Sequence, residues 1–238
     1  PFQRNFSLIG TTDVEIEQLD SIQISPAEVD YLLEVVNCHF KQKITAADIV
    51  HSYSGVRPLF EAAQSKKRDS AQQVSRDYLV YQHKAESLPP LYTIYGGKVT
   101  TYRKLSEQAV DCLAQHFNGL PPSQTARTVL PGGEIQSHNG LIEDLGQLYP
   151  FLPKAVIERY AKSYGSLAFH FLNSKECLND LGVDFGCGLF QAEVDYLIQH
   201  EWALTLEDIL WRRTKLGLQF DAPAAQKLEA YLVVCVGS

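Results

Sequence analysis

Three basic residues in the first half of the chain stand where binding groups tend to gather: Arg57 in "YSGVRP", Arg76 in "SRDY" and Lys98 in "YGGKVTT". Each falls at the end of a run with strand character, and strand ends are common places for ligand groups. Two arginines converging on one point suit a small dianion, because a guanidinium makes paired hydrogen bonds to phosphate oxygens. A single arginine is explained as well by a neighbouring carboxylate such as Asp13 or Asp77. The set of three points to an anion site more strongly than any one of them.

Lys98 has the most informative surroundings. The run before it, Leu91–Tyr95, is β-branched and aromatic and predicts a short buried strand. The run after it places Tyr102, Leu105, Ala109, Leu113 and Phe117 on one helical face. Gly96 and Gly97 therefore sit at a strand-to-helix junction. The first N–H groups of a helix lack internal acceptors and point outward with the positive end of the dipole. Such a junction holds phosphate or another electron-rich group. Gly96 and Gly97 let a ligand approach the backbone, Lys98 adds charge, and Thr100 or Thr101 supplies a cap or a hydroxyl donor. The phosphate loop of nucleotide hydrolases does not fit, since position 92 is Tyr and position 99 is Val. The dinucleotide fingerprint G-x-G-x-x-G is absent from the chain. A tight turn with a capped helix is the alternative reading of the same residues.

Other chemistry is weaker. The seven histidines show no H-x-x-x-H or H-x-H pairing, so no metal site is expected. His51, on a predicted strand, is either a proton acceptor or a packing or surface histidine. No nucleophile-elbow pattern occurs. The basic run Trp211–Lys215 suits a helix C-terminus, or a contact with anionic lipid or a partner subunit.

The chain has 238 residues, 45% hydrophobic and 21% charged, which is ordinary for a globular protein of one large or two modest domains. A net charge of −7 and pI near 5.5 argue against a general nucleic-acid partner. No apolar run approaches the ~18 residues of a membrane span, and the start does not read as a signal peptide. Five scattered cysteines without C-x-x-C spacing lead to an expectation of free thiols in a reducing compartment. The chain begins at Pro1 and contains no methionine, from which we expect part of a longer protein.

Residues 1–120 mix strands and helices. Strands are expected at Phe6–Val14, Ile49–Arg57, Arg76–Gln82 and from Leu91. Ser25–Glu28 is a capping box with Pro26 at the first helical position, opening a helix with Val29, Leu32, Leu33, Val36 and Phe40 on one stripe. Thr45 caps a short turn, and residues 61–75 read as an exposed loop. The stretch 118–133 holds three prolines and three glycines and marks a domain boundary. Beyond it, helices are expected at Asn139–Leu148, Pro153–Tyr164, Ser166–Asn173, Gln191–His200, Thr205–Arg213 and Ala224–Val234.

These motifs have a family likeness. "FSLIGTTDVE", "IVHSYSGVRPL", "SRDY" and "YGGKVTTYRKLSEQAV" occur in this order, followed by "LPGG", "YPFL", "YAKSYGS", "DLGVDFG", "AEVDYLIQHEWA" and "LEDILWRRTKLGL". Together they resemble the C-terminal half of the FAD-dependent, quinone-linked glycerol-3-phosphate dehydrogenases, across essentially the whole chain. The family more usually has Leu where Val99 stands.

The resemblance implies an α+β fold: part of a substrate-domain sheet plus the last flavin-domain strand and helix over 1–120, then an all-helical domain over 121–238. It implies that Gly96, Gly97, Lys98 and Thr100 lie against FAD. There the start of the helix stabilises negative charge that builds on the flavin as hydride arrives. It places Arg57 and Arg76 on the glycerol 3-phosphate side, with electrons passing to quinone. It also implies a peripheral enzyme on the cytoplasmic side of the inner membrane, or a cytoplasmic one, with a homo-oligomer left open. The histidine expected as base and the part that grips the ADP half of FAD would lie outside this chain, so these 238 residues alone are expected to bind FAD poorly and not to turn over. Two other readings are a glycerol-3-phosphate oxidase using oxygen, and a non-catalytic module whose helical tail docks a partner or membrane surface.

Overall fold

The computed structural model describes residues 2, 5–16, 18–19, 22–56, 77–83 and 88–236. The chain forms two compact units, residues 1–127 and residues 128–238. Among the described residues helices dominate, with one two-stranded sheet, an α+β composition.

In the first unit, α1 spans Pro26–His39. Its start is set by the sequence. The Ser25 hydroxyl accepts from the Glu28 N–H, and the Glu28 carboxylate accepts from the Ser25 N–H. Val29, Leu32, Leu33 and Val36 form the half-buried stripe that the periodicity implies, while Phe40 is exposed. The Asn37 side chain then closes the turn, donating to the Ile44 carbonyl and accepting from the Ile44 N–H, both at 2.9 Å. A single 3-10 turn follows at Ala46–Asp48, capped by Thr45.

Strands β1 (Leu79–His83) and β2 (Leu91–Tyr95) form an antiparallel pair with Leu79 opposite Tyr95 and His83 opposite Leu91. Helix α2 runs Tyr102–Ala114, preceded by a 3-10 turn at Val99–Thr101. Two expected strands do not form. Phe6 makes only an isolated bridge to Phe2, and residues 7–16 and 49–56 are irregular. Their apolar composition was the signal, but a strand exists only when a second strand satisfies its backbone groups. Among the described residues neither segment has that neighbour. The strand expected at Arg76–Gln82 begins at Leu79 and continues to His83. The expected apolar face of α2 is also weaker than its spacing implies. Leu105 and Ala109 are half-buried, whereas Tyr102, Leu113 and Phe117 are exposed.

The second unit holds every buried apolar side chain among the described residues. Helices α3 (His138–Leu148), α4 (Lys154–Tyr164), α5 (Ala168–Leu172), α6 (Gln191–Glu201) and α7 (Ala222–Val236) supply most of it. Leu145, Tyr160, Leu172, Leu197 and Leu228 have almost no exposed surface. Burial of each such side chain stabilises the fold by roughly 1.5–3 kcal/mol before entropy is counted. Phe171 meets Tyr160 and Tyr164 edge-on at centroid distances of 5.0 and 5.1 Å.

Inside this core lies one ion pair. Arg159 donates to both carboxylate oxygens of Glu193 and to the Gly188 carbonyl, and the Tyr164 hydroxyl donates to Glu193 at 2.6 Å. Burial and the Glu193 charge push the Tyr164 phenol well above its ordinary pKa. The expected helix at Thr205–Arg213 ends as a π-helical segment, Asp208–Arg213. Its cause is Thr214, whose N–H and hydroxyl both reach back five residues to the Ile209 carbonyl, at 2.9 and 2.7 Å.

Candidate functional site

The loop between β2 and α2 is built from its two glycines. Gly96 has φ +70° and Gly97 φ +106°, a region that residues with a Cβ rarely adopt. A Cβ at Gly97 would lie 3.4 Å from Tyr78 Cβ, so the loop passes close to the residue leading into β1. Lys98 then returns to extended backbone, φ −114° and ψ 148°. Three residues on, Thr101 closes the loop: its hydroxyl accepts from the Lys98 N–H at 3.3 Å and donates to the Lys98 carbonyl at 2.9 Å. The Thr101 N–H reaches the same carbonyl at 2.9 Å.

This arrangement brings Gly96, Gly97, Lys98 and Thr100 into one short loop at the positive end of α2. Thr101, not Thr100, is the residue just before α2, and its hydroxyl bonds back to Lys98 rather than to the N–H groups of α2. The sequence signal for it was the three-residue spacing from Lys98, the same spacing as in a capping box. The Val99 side chain is 89% exposed, so an apolar group stands in solvent beside the loop. Arg57 and Arg76, along with Lys66, Lys67 and Arg68, lie outside the described residues.

The loop rests on a braced helix. Tyr92 of β2 bonds its hydroxyl to His116 Nε2 at 2.9 Å, tying the strand to the segment just beyond α2. Glu107 of α2 accepts from the hydroxyls of Ser123 and Thr125, both at 3.0 Å. Arg103 and Lys104 lie 3.1 and 3.3 Å from the same carboxylate. The Ser123 and Thr125 hydrogen bonds, helped by the two cations, hold the Glu107 carboxyl down to about 2 from an ordinary 4.5.

A second feature of the first unit was not foreseen from sequence. Thr11, Thr12, Asp13 and Val14 line an open depression of about 640 Å³ with Ser25, Ala27, Glu28 and Tyr31. The Thr12 hydroxyl donates to Glu28, so the carboxylate that caps α1 also holds the Gly-Thr-Thr-Asp segment. Hydrogen bonds from Thr12 and Ser25 keep Glu28 below the usual carboxylate range. No spacing rule links residues 16 positions apart.

In the second unit the basic run is engaged internally. Arg212 pairs with Glu207 and Asp208, and Arg213 donates twice to the Glu201 carbonyl. His51 is exposed on irregular chain. The described residues contain no cluster of three or more His, Cys, Asp or Glu side chains suited to a metal ion. No described helix is long and apolar enough to cross a membrane.

Residues 123–234 match the family of the C-terminal domain of alpha-glycerophosphate oxidase. The match covers a little under half of the chain. The matched stretch contains α3 to α6, all but the last two residues of α7, and every buried apolar side chain among the described residues. Nearly the whole chain, 98% of it, is similar to the aerobic glycerol-3-phosphate dehydrogenase of Escherichia coli, at 40% identity over 235 residues. The glycerol-3-phosphate dehydrogenase of Pseudomonas aeruginosa is 45% identical over 235 residues, again 98% of the chain. The D-erythritol 1-phosphate dehydrogenase of Brucella abortus is 38% identical over 218 residues, covering 90% of the chain. The chain spans less than half the length of these relatives: 46%, 45% and 42% respectively.

Proposed function

We propose that this chain forms the C-terminal part of an FAD-dependent glycerol-3-phosphate dehydrogenase that passes electrons to quinone. The observation that carries the proposal is similarity over 98% of the chain, at 40–45% identity, to two glycerol-3-phosphate dehydrogenases. The glycine loop supports it independently. Two successive glycines at positive φ leave bare backbone beside an exposed lysine at a helix start, a shape that accepts the edge of a planar, electron-rich ring. The fit covers only one side of such a cofactor, because nothing in the chain matches the fingerprint that holds its ADP half.

FAD, when bound, supplies the hydride acceptor. The role of this chain's residues is electrostatic and positional. Gly96 and Gly97 admit the ring edge. Lys98 and the N–H groups of the 3-10 turn that leads into α2, with the Thr100 side chain beside them, face the place where negative charge develops. The aligned dipole of α2 adds the equivalent of about half a positive charge there. Arg57 and Arg76 take the phosphate dianion of the substrate, and the proton acceptor comes from outside this chain. The two units serve as a substrate- and flavin-contacting part and a helical C-terminal domain. A peripheral position at the cytoplasmic face of the inner membrane suits a quinone acceptor.

The test is the visible flavin absorbance of the full-length protein while glycerol 3-phosphate is added without oxygen. Loss of the band is expected. A flavin that stays bound and oxidised would sink the substrate. Adding D-erythritol 1-phosphate in parallel addresses the substrate of the Brucella abortus relative. A second reading, oxygen as acceptor, is favoured by the oxidase named in the matched family. Hydrogen peroxide formed at the rate of substrate oxidation in air would select it over quinone.

A further inference from the structure

We propose that Thr101 is a positioning residue for the flavin-facing loop, fixing the direction in which Lys98 and the N–H groups of Val99 and Thr100 point. The inference rests on the reading of this loop as flavin-contacting. The geometry is specific. One hydroxyl holds both polar backbone groups of Lys98, its N–H at 3.3 Å and its carbonyl at 2.9 Å. The Thr101 N–H secures the same carbonyl. Gly96 and Gly97, immediately before, have the widest backbone freedom of any residue type, so without this ring the loop has little to choose one conformation. The ring also engages the Lys98 N–H. The N–H groups of Val99 and Thr100 are then the donors that the helix start offers to a ligand. Thr101 itself stays half-buried behind the loop and needs no contact with the ligand.

The consequence is a division of labour between adjacent threonines: Thr100 on the ligand side, Thr101 as the brace. Losing the brace removes both hydroxyl hydrogen bonds to Lys98, and the loosened loop then places Lys98 less often where charge develops.

The experiment compares Thr101→Val, which keeps the shape and removes the hydroxyl, with Thr101→Ser, which keeps the hydroxyl. Both are made in the full-length protein. FAD is removed and titrated back by fluorescence quenching, and the flavin midpoint potential is measured by dye equilibration. Thr101→Val is expected to weaken FAD binding by about threefold to tenfold, a part of the worth of the two hydrogen bonds lost, and to lower the potential. Thr101→Ser should restore both. A valine variant that binds FAD like the unaltered protein at an unchanged potential overturns the role of Thr101 and leaves the flavin reading standing. A serine variant as impaired as the valine one does the same. An unaltered full-length protein that takes up no FAD sinks the flavin reading and this inference together. Should the valine variant fail to melt cooperatively by circular dichroism, Thr101→Ala carries the same comparison.

Discussion

Gly132 and Gly165 meet backbone against backbone. A Cβ on Gly165 would fall 1.9 Å from the Gly132 carbonyl oxygen, and one on Gly132 would fall 2.6 Å from the Tyr164 carbonyl oxygen. Both glycines have positive φ, +89° and +57°. The Gly132 carbonyl also accepts from the Ser166 N–H at 2.9 Å. Glu134 fastens the same junction, taking the Gly132 N–H at 3.0 Å and the Ser166 hydroxyl at 3.1 Å. The sequence landmarks "LPGG" and "YGS" are thus the two sides of one contact in the family-matched region.

Gly165→Ala should therefore destabilise the second unit strongly, by more than about 3 kcal/mol, since neither backbone can yield cheaply. Gly146→Ala is the contrast. That residue lies within α3, with its nearest neighbour, Ile157 Cδ1, at 4.0 Å. It should stabilise by about 0.5–1 kcal/mol through lower unfolded-state entropy. Urea unfolding followed by circular dichroism checks both, and a shift of the same sign for the two would refute the distinction.

The Arg159–Glu193 pair gives a second expectation. Glu193 has no exposed surface, so Glu193→Gln leaves the Arg159 charge buried with half its partner. A loss of about 3–5 kcal/mol is expected. Replacing both residues by apolar ones of similar size should recover much of that loss, because two desolvation costs vanish together. Additive losses in a double-mutant cycle would show that the two residues are not coupled.

Tyr160, one residue from Arg159, behaves differently. Its hydroxyl is buried beside the Arg159–Glu193 pair but makes no hydrogen bond of good geometry among the described residues. Removing it in Tyr160→Phe should leave stability unchanged or raise it by up to about 1 kcal/mol. A clear loss on chemical denaturation would mean that the hydroxyl has a partner in solution, such as an internal water.

Acid stability should carry the signature of Glu107. Its folded carboxyl titrates at about 2, against an ordinary 4.5. A lowered folded-state value means that the stabilisation is fully present above about 4.5 and is lost as pH falls toward 2. In Glu107→Gln the fall in stability between those values should be shallower than in the unaltered chain. Parallel pH profiles for the two would remove Glu107 from the account.

For the proposed chemistry, Arg57→Ala in the full-length protein should raise KM for glycerol 3-phosphate or lower kcat/KM by at least about a hundredfold, as expected on losing a paired guanidinium–phosphate contact. An unchanged kcat/KM would take Arg57 out of the site.

Where each element starts and stops was largely legible from the residues themselves. The Ser25–Glu28 box, the helices expected at Asn139–Leu148, Pro153–Tyr164, Gln191–His200 and Ala224–Val234, and the strand–glycine–helix order around Lys98 all depend on contacts within a few positions. Hydrogen bonds at that range form in almost any surroundings, so residue types alone suffice to specify them. Tertiary structure decided the rest. Phe6–Val14 and Ile49–Val56 carry strand composition yet remain irregular, because a strand requires a partner that no local pattern supplies. Tertiary packing set Glu193 against Arg159 across 34 positions and Thr12 against Glu28 across 16. Each of these depends on which distant backbone or side chain arrives at the same point, and that depends on how the whole unit packs, beyond the reach of any local run of residues.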